Sequence, residues 1–399
     1  MRQQFLLTTL LLLLSGFLFA QEKVQRDLQR KFIEAKDGQT IELGKGRFDF
    51  TGSLWLDGKK NITIKGKGKD KTFLSFKGQV QGAEGVKVTN SEKIVLEGFT
   101  VEDAKGDCIK VQETDGITFR DVRAIWTGKP SKKNGAYGLY PVMCQNVLIE
   151  DCEAIGASDA GVYVGQSKNI IVRRNKAYHN VAGIEIENSL MADVYENEAY
   201  DNTGGLLVFD LPDLIQKKGG NVRVFNNHVH DNNLKNFAPK GNIVAKVPDG
   251  TGLLILATSH VEIFENRFVN NNSMNTGIIS YYMTENPIKD KDYEPYPHHI
   301  SIHNNYYERE YVRGTSRGRL GMMFRFKLKF GKDVPHIIYD GIEDDKEDAV
   351  TKICIVNNKQ ATFANIDAAN NFKNISDDLS QFNCEIESLK PANITMASK

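Results

Sequence analysis

Two tyrosines and two glutamates recur at nearly constant spacing in the middle of the chain. Tyr140 and Tyr163 lie 23 residues apart and Glu185 follows 22 residues later, with Glu187 two residues beyond it. Lys110 lies upstream of this series and Asp210 downstream, while Asp159 and Gln166 flank Tyr163. These types suit removal of a proton next to a carboxylate: a base, for which tyrosine or lysine serves when its pKa is lowered, and a cation or amide to neutralise the carboxylate. β-Elimination and C5 epimerisation of uronic-acid polymers both begin with that step. The catalytic candidates are Tyr140, Tyr163, Glu185 and Asp159, and the substrate-binding candidates are Lys110, Gln166, Glu187 and Asp210. For hydrolysis, Glu185, Glu187 and Asp210 would act instead as paired carboxyls. Each also has a structural reading: the glutamates as solvated or lysine-paired, the tyrosines as a stacked ladder, Asp159 as a turn residue.

Constant spacing needs a repeating element to make it constant in space. Segments of the form apolar-x-apolar-x-x-Asn end at Asn175, Asn197, Asn227, Asn266 and Asn305, with Phe99, Val122 and Cys152 at the equivalent upstream positions. The base unit is 22–23 residues. A second short segment precedes each, as in Gly161-Val162-Tyr163-Val164 and Gly183-Ile184-Glu185-Ile186, with the alternation of a strand. Short strands, turns and this period describe the coils of a parallel β-helix. The asparagines then form an amide ladder at one corner. Stacked coils put Lys87, Lys110, Tyr140, Tyr163, Glu185, Leu207, Leu254 and Ile279 in one outward column. Thr89, Gln112, Val142, Gly165, Glu187, Phe209, Leu256 and Tyr281 form the next. Insertions at Thr127–Asn134, Leu211–Gly220, Leu234–Gly250 and Thr284–His298 border this face and would wall it into a groove suited to a linear polymer. The apolar upper half of the columns offers a second reading, a surface that binds a glycan or another exported protein.

The chain resembles the pectate-lyase-like superfamily of right-handed parallel β-helices, and within it exported bacterial β-helix repeat proteins. The runs that carry the resemblance are Gly138–Val142, Ser158–Ser167, Val181–Asn188 and Leu207–Pro212. It implies an all-β, single-stranded right-handed parallel β-helix (a solenoid) with an N-terminal helical cap and a mixed C-terminal cap. Polysaccharide is the partner it implies, because lyases, hydrolases and epimerases dominate the superfamily.

Composition sets the outer bounds. With 51 Lys+Arg against 51 Asp+Glu, the chain lacks the basic excess of a dedicated nucleic-acid binder. Arg2, the apolar run Phe5–Leu14 and Ala20 read as a secretory signal peptide over residues 1–20, with no lipobox cysteine. No later run is long enough for a membrane span, so the expected location is secreted or periplasmic. Residues 21–83 are expected to hold the cap and first coils, with Val24, Leu28, Phe32 and Ile33 on one helical face. Residues 84–310 hold the repeats and 311–399 the C-terminal cap. Cys354 and Cys384 can pair, while Cys108, Cys144 and Cys152 read as buried thiols. Glu185, Glu187, Asp201, Asp210 and Asp231 are oxygen donors of the kind Ca²⁺ takes, though not in a compact loop. His228 and His230 share a strand face without an evident third ligand, and His179 leads into the Glu185 strand.

Overall fold

The structure is a computed structural model that describes residues 22–310, 322–331, 333–344 and 352–395. The expected leader lies outside these residues. Among these residues the chain winds into two parallel sheets, one of 19 strands and one of 11. The eleven-stranded sheet carries the site. Its strands are β1 (Gly52–Asp57), β2 (Gln81–Thr89), β3 (Ile109–Gln112), β4 (Tyr137–Val142), β5 (Ala160–Gly165) and β6 (Ala182–Glu187). There follow β7 (Gly204–Phe209), β8 (Thr251–Leu256), β9 (Met274–Ile279), β10 (Ile337–Tyr339) and β11 (Phe363–Asn365). Each pairs in parallel with the equivalent strand of the next coil. The two rows of the other sheet, for example Lys168–Arg173 and Lys176–Tyr178, close each coil.

Inward side chains alternate with outward ones and form one continuous core from Leu28 to Phe382. At the corner, the Asn175 backbone N–H and side-chain amide both donate to Asn197 Oδ1 at 3.0 Å. The pattern repeats through Asn227, Asn266 and Asn305 and reaches Asn358. A second ladder, which the sequence reading missed, runs through Asn180, Asn202, Asn232 and Asn271. These lie five residues after Asn175, Asn197, Asn227 and Asn266, a constant offset that was legible in the sequence.

The helix over residues 22–34 closes the N-terminal end. Leu28 and Phe32 are buried, whereas Val24 and Ile33 are exposed, so two of the four expected core positions face solvent. Polar groups complete the cap. Gln29 accepts from the Trp55 backbone N–H and donates to the Trp55 carbonyl, and Gln25 accepts from Thr51 N–H. They occupy backbone groups that an open edge would leave for another chain. At the other end the coils continue beyond residue 310: β10 and β11 extend one sheet, and Ile353–Val356 extends the other. Cys354 and Cys384 form a disulfide, and Cys108, Cys144 and Cys152 are buried free thiols.

One register differs from expectation. Leu254 pairs with Gly277 and Leu256 with Ile279. Ile279 at the end of β9 and Tyr281 in the short 3-10 turn after it therefore stand two places beyond their expected columns. A shift of two keeps every side chain on its own face, so alternation alone does not detect it.

Candidate functional site

The outward column of the eleven-stranded sheet reads Trp55, Lys87, Lys110, Tyr140, Tyr163, Glu185, Leu207 and Leu254. Adjacent members are one strand spacing apart, roughly 4.8 Å. The next column places Gly165 beside Glu187. That glycine is required: a Cβ there would sit 2.3 Å from Tyr163 Cε1. The Tyr163 ring lies across the gap, and its hydroxyl donates to Glu187 Oε1 at 2.5 Å. Tyr137 packs against both Tyr140 and Tyr163, with ring centroids 4.5 and 4.4 Å apart. Lys110 Nζ sits 5.0 Å from the Tyr140 ring centroid.

Three inserted loops cover the C-terminal part of this face. Leu211–Gly220 is tied down by Gln166 Oε1, which accepts from Ile215 and Gln216 N–H, and by Asp210 Oδ1, which accepts from Gly219 N–H at 2.8 Å. From the 234–250 loop, Asn242 donates to Asp159 Oδ2 at 2.8 Å, while Val244 and Val247 bury themselves in a second apolar cluster. From the 284–298 loop, the Tyr293 hydroxyl donates to the Asp210 carbonyl at 2.6 Å. Leu207, Phe209, Leu254 and Leu256 are consequently buried. The apolar upper half of the columns is a covered core rather than a docking surface. Within it lies an apolar cavity of about 140 Å³ between Phe209, Ile243, Leu256 and Met283. Among the described residues, the face is open toward the N-terminal coils, where Trp55 is 49% exposed beside a cavity of about 480 Å³ that Lys87, Glu84 and Gln29 also line.

Burial sets the electrostatics. Asp159 and Glu187 are each pushed up to about 7, in both cases first by desolvation. Asp107 adds to the shift of Asp159, and Asp159 and Asp210 to that of Glu187, while the bonds from Asn242 and Tyr163 oppose it. Glu185 is wholly buried and neither carboxyl oxygen has a hydrogen-bond partner. Its pKa is driven well above the usual carboxylate range by burial and then by Glu187 and Asp159, which favours the neutral acid over the carboxylate. It is neither solvated nor lysine-paired.

Two expected roles change. Burial, followed by the neighbouring carboxyls, pushes the Tyr140 and Tyr163 phenols upward. Both are neutral phenols, because desolvation disfavours the phenolate, and Tyr163 donates to Glu187. The proton acceptors in the right range are Asp159 and Glu187. Gln166 and Asp210 hold the 211–220 loop, so their polar atoms are spent on structure; Asp210 is itself pushed up to about 7 by burial. Lys110, Tyr140, Asp159, Tyr163, Glu185 and Glu187 do converge. The sequence reading missed Asp107, Tyr137 and Asn242. Asp107 sits two residues before β3 and its Oδ1 accepts from Tyr137 N–H at 3.2 Å; burial pushes it up to about 6. Its place before a strand, like that of Asp159, was the available signal.

The proposed calcium donors do not gather. Glu185 and Glu187 are on β6, whereas Asp201 and Asp231 follow strands of the other sheet, and Asp231 Oδ2 lies 2.8 Å from His230 Nδ1. Among the described residues, two groups of potential metal ligands converge: His260, His298 and His299, and Glu198, His228 and His230. Glu198 is the third partner that the sequence did not reveal.

The family model for the right handed beta helix region matches residues 84–233 and 132–292. The chain belongs to this β-helix family. No curated protein matches it. Among solved structures, the A-module of the Azotobacter vinelandii mannuronan C-5 epimerase AlgE6 is similar, with 15% identity, a TM-score of 0.54, and coverage of 80% of this chain and 75% of that one. The catalytic unit of an α-1,3-glucanase from Streptomyces thermodiastaticus shares 13% identity, covering 82% and 48% of the two chains with a TM-score of 0.48. At these identities the likeness is one of fold. No described helix is long and apolar enough to cross a membrane.

Proposed function

We propose that this β-helix is an exported carbohydrate-active protein that takes a uronic-acid-containing glycan on the open coils of the eleven-stranded sheet and acts on it by elimination or epimerisation. One observation carries the reading. Asp159 and Glu187, each with a pKa near 7, stand on neighbouring coils of a face that also presents Lys110, Lys87 and exposed Trp55. A carboxylate that titrates near 7 is suited to removing the proton beside a uronate, since base strength and availability balance there. Lys110 supplies charge for the substrate carboxylate. The Tyr163–Glu187 pair returns a proton, to the departing oxygen in elimination or to the opposite face of the carbon in epimerisation. Trp55 offers an aromatic platform for a sugar ring at the far end. Because the loops close the face beyond β5, a glycan enters with one end against the acid cluster rather than passing along the whole helix.

The test is incubation with a panel of uronic-acid polymers in D₂O. Ultraviolet absorbance reads unsaturated products, and NMR reads deuterium at C5. Either signal, abolished by Asp159→Asn or Glu187→Gln with the fold intact, supports the proposal; silence in both channels across the panel overturns it. A non-catalytic glycan-binding role is the second reading. It is favoured by the loop contacts at Asp159 and Gln166, which hold the acid cluster covered, and it would show as binding to the panel without either signal.

A further inference from the structure

We infer that His260, His298 and His299 form a site for a divalent transition ion of the zinc class, which fastens the 284–298 loop to the β-helix. One ligand nitrogen from each imidazole lies within 4.8 Å of the others. His298 Nδ1 and His299 Nδ1 are only 2.8 Å apart, and the His260 and His299 rings stack with centroids 4.7 Å apart. Nitrogens bound at about 2.0–2.1 Å in a tetrahedral site stand roughly 3.3 Å from one another, so small side-chain adjustments bring the three onto one ion. Three imidazoles suit zinc, cobalt, nickel or copper, not the oxygen-seeking calcium or magnesium.

Two of the ligands are positioned by the sheet. Val261 in the strand Ser259–Phe264 pairs with Ile300 in Ile300–His303, which sets His260 and His299 directly before them on successive coils. Both have left-handed backbone, with φ of 55° and 54°. The equivalent positions in the four preceding coils are Asn146, Asn169, Met191 and Asn221, also left-handed. Left-handed backbone tolerates histidine as it does asparagine, which accounts for those two residues singly. It does not account for His298. There Glu294 Oε1 lies 3.1 Å from Nε2. A carboxylate at Nε2 draws the ring proton to that nitrogen and leaves the Nδ1 lone pair facing His299, the arrangement that orients metal-binding histidines.

The other cluster is explained without a metal. His230 stacks on Tyr200, which stacks on Tyr178, and Glu198 is ion-paired with Lys176 at 2.9 Å. It serves as the control. An ion at His260, His298 and His299 would join the helix body to a loop whose Tyr293 already holds the Asp210 carbonyl over the buried face. This inference does not depend on the proposed activity.

The experiment is calorimetric titration of Zn²⁺ into the EDTA-treated chain carrying His228→Gln and His230→Gln, which removes the control cluster. One ion per chain is expected. Adding His260→Gln with His299→Gln should weaken binding at least 100-fold. Glu294→Gln, which leaves all three imidazoles in place, should weaken it roughly 10- to 100-fold, and circular dichroism of the metal-free variants verifies the fold. Failure of Zn²⁺ to bind, or binding that survives the His260/His299 pair of substitutions, overturns the inference.

Discussion

At the scale of single residues, the site is governed by what the loops do to carboxyl groups. Alternation along β6 correctly puts Glu185 and Glu187 on the outward face, and on an ordinary β-helix outward means solvated. Here Val244 and Val247, more than fifty residues later in the chain, lie in the apolar layer over that face. No local pattern around Glu185 announces this, which is why its protonation state was not legible while its direction was. Glu185→Gln keeps the shape of the neutral acid and removes its ability to ionise. The variant should melt at a higher temperature than the parent at pH 8 and at the same temperature at pH 4.5, as scanning calorimetry would read. If substrate turnover is found, Tyr163→Phe removes the donor that holds Glu187 down, so the Glu187 limb of the pH–rate profile should move to higher pH.

At the scale of elements, the sequence reads well where a rule acts within one coil and poorly where it acts between coils. The 22-residue period, the corner asparagines and the columns from Lys87 to Leu254 follow from spacing. The register of β9 follows from the same spacing, since Gly277 lies 23 residues after Leu254, but the run Gly277-Ile278-Ile279 imitates the glycine-led strand motif two places late, and a slip of two preserves the inward–outward pattern that would have exposed it. The asparagine ladder supplies the sharpest test. Asn197 accepts from Asn175 and donates to both the Val172 carbonyl and Asn227. Asn197→Ala strands several buried polar groups at once, each worth about 1–3 kcal/mol when unsatisfied. It should therefore destabilise by roughly 3 kcal/mol or more in urea unfolding, whereas Lys168→Ala, at an exposed position in the preceding coil, should stay within about 0.5 kcal/mol. Gly165→Ala tests the geometry of the site itself. Its methyl group displaces the Tyr163 ring, so the hydroxyl loses Glu187 and the Glu187 pKa rises in NMR titration.

For the whole molecule, these carboxyls dictate how stability depends on pH. Asp159, Glu187 and Asp210 have folded pKa values near 7, above the ordinary 3.8–4.5, and burial also drives Glu185 well above that ordinary range. Between those limits the folded chain holds protons that the unfolded chain has released, so stability falls as pH rises from about 4 through about 7. Each fully shifted carboxyl accounts for a loss on the order of 3–4 kcal/mol across that window. Glu150 works in the opposite sense. Although burial alone would raise it, Arg173 and Arg120 hold it at about 2, so its contribution is present above the ordinary glutamate range and fades as pH drops toward 2. The two trends place the stability maximum on the acid side of neutrality, near pH 4–5. Urea unfolding at pH 5, 6.5 and 8 should give midpoints that decrease in that order, and the combined variant Asp159→Asn, Glu185→Gln, Glu187→Gln should flatten the decrease. A parent whose midpoint instead rises from pH 5 to pH 8 would mean that solvent reaches these carboxyls. The loops would then stand open in solution, and the glycan would have the full length of the face available to it.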